Sequence, residues 1–238
     1  MAEIQTYLIT ITILVVIYLS FNRQRKTLLS RHRYFLSLIG LNISILIIEI
    51  IRTLTTGMQE GFLFYILVIS NVLYFILSAI IISLWALYVN YHVLAHKKHF
   101  KLILSTLIVF VIINSVLSIL SPFYGFIFTI DSMGIYHRGF LYEMVLSGSY
   151  VIMGLSILYI VIYKHKLPKT DFGALIFFTV PPMVTAAIQI FVPEMKLLWS
   201  SMTVSLLILY IYIQSKITNT DPLTGVFNRR EFDKHINY

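Results

Sequence analysis

Glu49 and Arg52 stand three residues apart inside an apolar stretch, so one helical turn would set the carboxylate beside the guanidinium. A charge inside an apolar span is the usual pointer to a functional site. A satisfied ion pair near the end of the span and a ligand-binding pair both fit this spacing. A second group is Tyr136-His137-Arg138-Gly139, with Asp131 and Glu143 close by. It sets a fixed cation and a titratable ring beside a glycine, where an anionic or aromatic small molecule can be received. The same stretch is rich in rings (Phe123, Tyr124, Phe126, Phe128, Phe140, Tyr142), which a loop lying on a bilayer surface would also explain. A third group is His92, His96 and His99, at i, i+4 and i+7. They would share one face for a metal or haem iron if a helix continues past Tyr91. Lys97, Lys98 and Lys101 stand among them and repel a cation, so no metal site is expected.

Four further polar-capable residues, Asn71, Trp85, Gln189 and Trp199, lie on apolar segments. They can hydrogen-bond between helices, or line a pocket between the third, sixth and seventh segments.

The elements that must carry these groups are membrane helices. The chain is 58% hydrophobic and 12% charged, half the charged share of a soluble domain, about a quarter. So little polar surface implies lipid as solvent. Zero Cys excludes disulfides and thiol chemistry. Seven apolar segments are each near the roughly 20 residues that a spanning helix needs: about 4–21, 34–51, 62–89, 102–121, 144–163, 172–190 and 197–214. The first lacks a basic leader and a small-residue cleavage site, so it is not a signal peptide. The third is long enough to tilt or to extend beyond the bilayer. Pro181-Pro182 should kink or break the sixth, as a hinge or as a static kink.

The net charge of +8 would suggest nucleic acid in a soluble protein; here it is its distribution that counts, and no nucleic-acid partner is expected. Of the 18 Lys and Arg, one side of the proposed topology holds only Arg52, Arg138 and Lys196. The positive-inside rule therefore places the N-terminus outside and the C-terminus in the cytoplasm. The basic inner loops follow from topology, and binding of anionic lipid is the sharper alternative.

After the seventh segment the composition changes. No Gly or Pro interrupts 199–220, which reads as a stiff helix leaving the membrane. Then Asp221-Pro222 and Thr224-Gly225 make a break, and Asn228, with Glu231 three residues on, can cap a new helix. The division expected is a transmembrane domain over 1–214, a connector over 215–220 and a new unit from 221 to 238.

The pattern Asp221-x-Leu223-Thr224-Gly225-x-x-Asn228-Arg229-Arg230-x-Phe232 resembles the opening of a GGDEF domain, the catalytic domain of diguanylate cyclases. Val226 stands where that family usually has Leu. The GG(D/E)EF signature, the metal-binding Asp and the guanine contacts of the family lie further downstream and have no counterpart here, so the eight matching residues are expected to shape a turn and a helix start. The resemblance implies a parent enzyme that joins two GTP into cyclic di-GMP with Mg2+. For this chain it implies neither cofactor nor turnover. The whole is also similar to bacterial proteins in which about seven membrane helices precede a GGDEF domain. Ser70-Asn71-Val72-Leu73-Tyr74, Tyr136-His137-Arg138-Gly139 and Leu198-Trp199-Ser200-Ser201 strengthen that likeness.

The expected architecture is thus an all-α bundle of seven transmembrane helices in a bacterial plasma membrane. Its expected role is to sense an outer or lipid-borne small molecule and signal through the seventh helix. A homodimer is implied by the family's chemistry, with Ser147, Gly148, Gly154 and Ser156 as small-residue contacts in the fifth segment. A stand-alone receptor or anchor is the alternative. A transporter is disfavoured by sparse intramembrane charge and the lack of an inverted repeat. A retinal Schiff base is not supported, because 197–214 contains no Lys.

Overall fold

The computed structural model describes residues 2–22, 31–93, 97–192, 196–219 and 228. Seven helices account for most of these: α1 Ala2–Asn22, α2 Arg31–Thr55, α3 Phe62–Val93, α4 Lys97–Tyr124, α5 Tyr142–Ile162, α6 Lys169–Phe191 and α7 Leu198–Asn219. Among the described residues, seven helices are long and apolar enough to cross a membrane. In lipid, an unpaired backbone amide has no water to turn to, and a helix satisfies its amides internally. That is why uninterrupted apolar runs suffice to specify these elements.

The helices form a ring. α1 packs on α2, α2 on α3, α3 on α5, α5 on α6, α6 on α7, and α7 returns to α1. α7 also touches α2, and α4 packs on α3. The buried face of α2 shows the logic. Phe35, Leu38, Ile39, Asn42, Ile45, Leu46 and Glu49 recur every three or four residues and point inward. The exterior is apolar: Phe62 is 78% exposed and Phe123 80%, whereas Asn42 is fully buried and Asn71 almost so. Polar groups inside and large apolar groups outside suit a lipid solvent.

The aromatic loop departs from the all-helical expectation. It folds as a two-stranded antiparallel hairpin, β1 Phe128–Ile130 and β2 Tyr136–Arg138, with Phe128 opposite Arg138 and Ile130 opposite Tyr136. Ile127 and Phe128 are fully buried, and Phe128 stacks on Phe75 of α3 at 5.6 Å between centroids. Only part of the loop therefore presents its rings at the surface, Phe140 and Tyr124 among them. Gly134, at φ +71°, seats the hairpin on the turn between α2 and α3, where its carbonyl accepts from Gly57 at 3.0 Å. A Cβ at Gly134 would run into the backbone of Met58.

One further expectation changes. α6 is continuous through Pro181 and Pro182, so the pair does not break it. Thr185, one turn on, donates its hydroxyl toward the Pro181 and Pro182 carbonyls, both at 3.0 Å. α7 runs to Asn219, in keeping with the stiff helix expected over 199–220. The long third segment is a helix of 32 residues, about 48 Å at 1.5 Å per residue, longer than a bilayer core of about 30 Å.

Candidate functional site

At the hairpin end of the bundle a cavity of about 540 Å³ opens between α2, α3, α5, α6, α7 and β2. Glu49, Arg52, Tyr136, His137, Arg138, Glu143, Gln189 and Trp199 line it, so eight residues singled out from sequence converge on one space. Asn71 stands directly behind Arg52, and Trp85 lines a deeper pocket below. Of the four residues that could line a pocket between the third, sixth and seventh segments, Gln189 and Trp199 line this cavity, whose walls also include α2, α5 and the hairpin.

Arg52 is the best-held cation. Its Nη1 donates to Glu49 at 3.1 Å and its Nε donates to the Asn71 side chain at 3.0 Å. Its guanidinium lies 4.1 Å from the centroid of the Tyr74 ring and 5.8 Å from that of Tyr136. Asn71 donates its own amide to the Leu67 carbonyl at 2.8 Å, which fixes the orientation of its acceptor oxygen. Glu49 is only 4% exposed. A buried carboxylate is tolerated when paired and hydrogen-bonded, and the i, i+3 spacing on α2 supplies that pair.

The other cations are looser. Arg138 donates to Glu143 at 3.2 Å and stacks on Tyr142 at 4.7 Å. Lys196, two residues before α7, reaches Glu3 of α1 at 3.3 Å. Both pairs are exposed on both partners. All three cations of the sparsely charged side thus line one cavity. His137 points to the hairpin instead and shares a 2.8 Å hydrogen bond with Asp131. That bond, with the backbone amides of Ile135 and Met133, holds the Asp131 carboxyl below its ordinary range. Burial pushes the Tyr136 hydroxyl up, so it remains a protonated donor at neutral pH.

Sequence reasoning missed Tyr74, which sits at the centre of the site. It supports Arg52 from below and accepts the Trp199 indole N–H at 3.2 Å. The signal was available in Ser70-Asn71-Val72-Leu73-Tyr74, where Asn71 and Tyr74 lie three residues apart on one helix face. Also missed were Tyr142, Tyr150 and Lys196 as wall residues.

Two smaller cavities continue the first into the bundle. The middle one, about 110 Å³, shares Tyr74, Phe75, Tyr150, Leu198 and Trp199 with it and extends to Ile82, Asn114 and Met153. The deepest, about 50 Å³, is closed by Ile81, Trp85, Thr179, Pro182 and Met202. Trp85 packs against Phe178 there, 6.3 Å between rings.

A second polar cluster lies at the opposite end. Lys216 of α7 donates to both carboxylate oxygens of Asp171 on α6, at 2.8 and 2.9 Å, and to the Tyr212 hydroxyl at 3.1 Å; Tyr212 donates to Asp171 as well. Near the hairpin end the same two helices are joined by a 2.7 Å hydrogen bond shared by Thr185 and Ser201.

The histidine triplet is not assembled on one helix. His92 belongs to α3, which ends at Val93, and His99 to α4, which begins at Lys97; His96 lies outside the described residues. No group of three or more His, Asp or Glu among the described residues can hold a metal ion. The GGDEF-like residues Asp221, Leu223, Thr224, Gly225, Arg229, Arg230 and Phe232 also lie outside them. Asn228 is described, and its amide donates to the Thr218 carbonyl at 2.6 Å. Of the small residues in α5, Gly148 is packed within the chain, where a Cβ would meet the Phe110 ring at 3.2 Å, while Gly154 has open space. Comparison with family models, with curated proteins and with solved structures gives no match.

Proposed function

We propose that this chain is a membrane sensory module in which occupancy of the hairpin-end cavity is passed along α7. One observation carries this reading. Trp199, a wall of the cavity, is in the first turn of α7, and the same helix runs unbroken to Asn219. A ligand that displaces Trp199 must move or rotate α7 as a unit, because no Gly or Pro in α7 absorbs the motion. A ligand shifts such an equilibrium only through unequal affinity for its two states. The Tyr74–Trp199 hydrogen bond, made across the cavity, gives it a contact to break or to keep.

The distribution of Lys and Arg supports an outward-facing cavity and a cytoplasmic end of α7. The pattern from Asp221 to Phe232 supports a GGDEF domain as the effector, and with it a parent diguanylate cyclase using GTP and Mg2+. Pairing of two copies would then bring two such domains together.

The test is a cavity-filling substitution, Leu146→Trp on the α5 wall, in the full-length protein expressed in bacteria. A changed cellular level of cyclic di-GMP relative to the parent supports the reading. An unchanged level from a variant that inserts at parental abundance overturns it. Reading the coding DNA past the Tyr238 codon tests the effector separately, since a following domain without a GG(D/E)EF signature would remove the cyclase.

A further inference from the structure

Cations ring the mouth of the cavity chain, and its floor is apolar. At the top stand Arg52, Arg138 and Lys196, with their carboxylates. At the bottom stand Ile81, Trp85, Pro182 and Met202; the hydroxyl of Thr179, which also lines it, is turned to the Leu175 carbonyl at 2.8 Å. In between, the space narrows from about 540 to 110 to 50 Å³, each part sharing walls with the next. The largest part falls within the usual range of ligand sites, about 300–1,000 Å³. The deepest, at about 50 Å³, is larger than the roughly 30 Å³ share of one water and is lined mostly by apolar side chains, so it suits the end of a single hydrocarbon chain.

The charges at the top are arranged to accept an anion. The hydrogen bonds that the Arg52 fork makes among the described residues go to Asn71 and Glu49, which leaves other N–H donors of the five. The Arg138–Glu143 and Lys196–Glu3 pairs are exposed, and exposed pairs are worth about 0–1 kcal/mol. An incoming anion can therefore take over Arg138 and Lys196 while Glu143 and Glu3 return to water. Glu49 stays with Arg52, because it is buried.

We propose that the cavity binds a single-chain amphiphile with an anionic head, the head among Arg52, Arg138 and Lys196 and the chain running down between α3, α5, α6 and α7 toward Pro182. This rests on the sensory reading of the same cavity and adds the class of ligand. It also adds a wedge: the chain would pass Leu198 and Trp199, which line all three parts, and so press on the first turn of α7.

The two tryptophans of the chain make the test direct, since Trp199 lies along the whole path and Trp85 at its floor. The full chain is placed in nanodiscs, and its fluorescence is followed with 11-bromoundecanoate, which carries the quencher at the chain end. Trp199→Phe leaves Trp85 as reporter. The expected result is saturable quenching of Trp85, absent with the uncharged methyl ester and weakened about tenfold by Arg138→Gln or by Lys196→Gln, each losing a charge-assisted contact. Quenching that rises linearly with probe and ignores both substitutions overturns the proposal. Equal quenching by a two-chain phospholipid brominated in its tails overturns it too, because the slot would then be open to bulk lipid.

Failure of the ligand class is kept apart from failure of the sensory reading by a second readout. Thr218→Cys is unique in a cysteine-free chain, and its reaction rate with a maleimide is compared with and without Leu146→Trp. No binding of the probe but a changed rate rejects the amphiphile and keeps the sensor. No binding and an unchanged rate reject both.

Discussion

The indole N–H of Trp199 donates to the Tyr74 hydroxyl at 3.2 Å, and this bond joins the first turn of α7 to α3 across the cavity. Tyr74 in turn carries the Arg52 guanidinium on its ring. Arg52, Tyr74 and Trp199 thus form one continuous wall from the cation to the helix that leaves the bundle. Trp199→Phe keeps a ring but removes the donor. The expected cost is on the order of 1 kcal/mol, read as a lower midpoint in denaturant unfolding of the detergent-solubilised protein. Tyr74→Phe should lower the midpoint by a similar amount, and the double variant should lose little more than either single one, because both remove the same bond. Fully additive losses would show that the bond contributes nothing.

Glu49 and Arg52 offer a stronger contrast. Arg52→Met leaves the Glu49 carboxylate, 4% exposed, without its cation. Breaking one side of a buried pair costs about 3–5 kcal/mol, so this variant should unfold at much lower denaturant. Adding Glu49→Gln removes the orphaned charge and should recover most of the loss. A double variant as unstable as Arg52→Met would mean that Arg52 acts mainly through Asn71 and Tyr74.

Asp171 binds both Tyr212 and Lys216, so Asp171→Asn should release the far end of α7 from α6. Lys216 is half exposed, and the global stability should move by no more than about 1 kcal/mol. The local effect should be larger: maleimide reacts faster with Thr218→Cys in the Asp171→Asn background. An unchanged rate would show that the clamp does not hold the helix end.

Two single cysteines test the orientation. Ser132 lies in the exposed turn of the hairpin and Thr218 at the other end of the bundle. In intact cells an impermeant maleimide should label Ser132→Cys, and Thr218→Cys only after permeabilisation. The reverse pattern would invert the proposed topology.

The hairpin carries a pH dependence with a definite sign. Asp131 is held below its ordinary 3.8 by the His137 hydrogen bond and by backbone amides. A depressed folded value stabilises the folded hairpin above the unfolded value and loses that contribution as pH falls through the folded one. A fluorophore on Ser132→Cys should therefore report a constant environment from neutral pH down to about 4 and a changed one below. Asp131→Ala should show the changed environment throughout. A transition centred well above 4 would exclude Asp131 as its cause.

How much of this was legible in the sequence follows from how far each feature depends on distance along the chain. The Glu49–Arg52 pair could be read because three residues on one helix fix their proximity, whatever the rest of the chain does. The seven helices could be read because lipid leaves the backbone no other partner, so hydropathy alone decides where they lie. The polar end of α7 is legible too, because no Gly or Pro interrupts 199–220; what distance along the chain hides is that Lys216 and Tyr212 find Asp171, 45 and 41 positions away. Nothing local marks Phe128 as buried, so along the chain it reads as part of a surface loop; Phe75 of α3 stacks on it, and Tyr142 of α5 packs edge-on against Phe75. The continuity of α6 through two prolines also had to be seen in three dimensions.

Hydropathy and residue type along the chain dictate seven apolar helices, three cations set apart from the basic segments, and a handful of polar residues that need partners. That Arg52, Arg138 and Lys196 share one cavity follows from packing alone. They come from α2, the hairpin and the segment leading into α7, and no periodicity relates those elements. Their convergence depends on which helix packs beside which, a choice made by side-chain fit around the ring rather than by hydropathy.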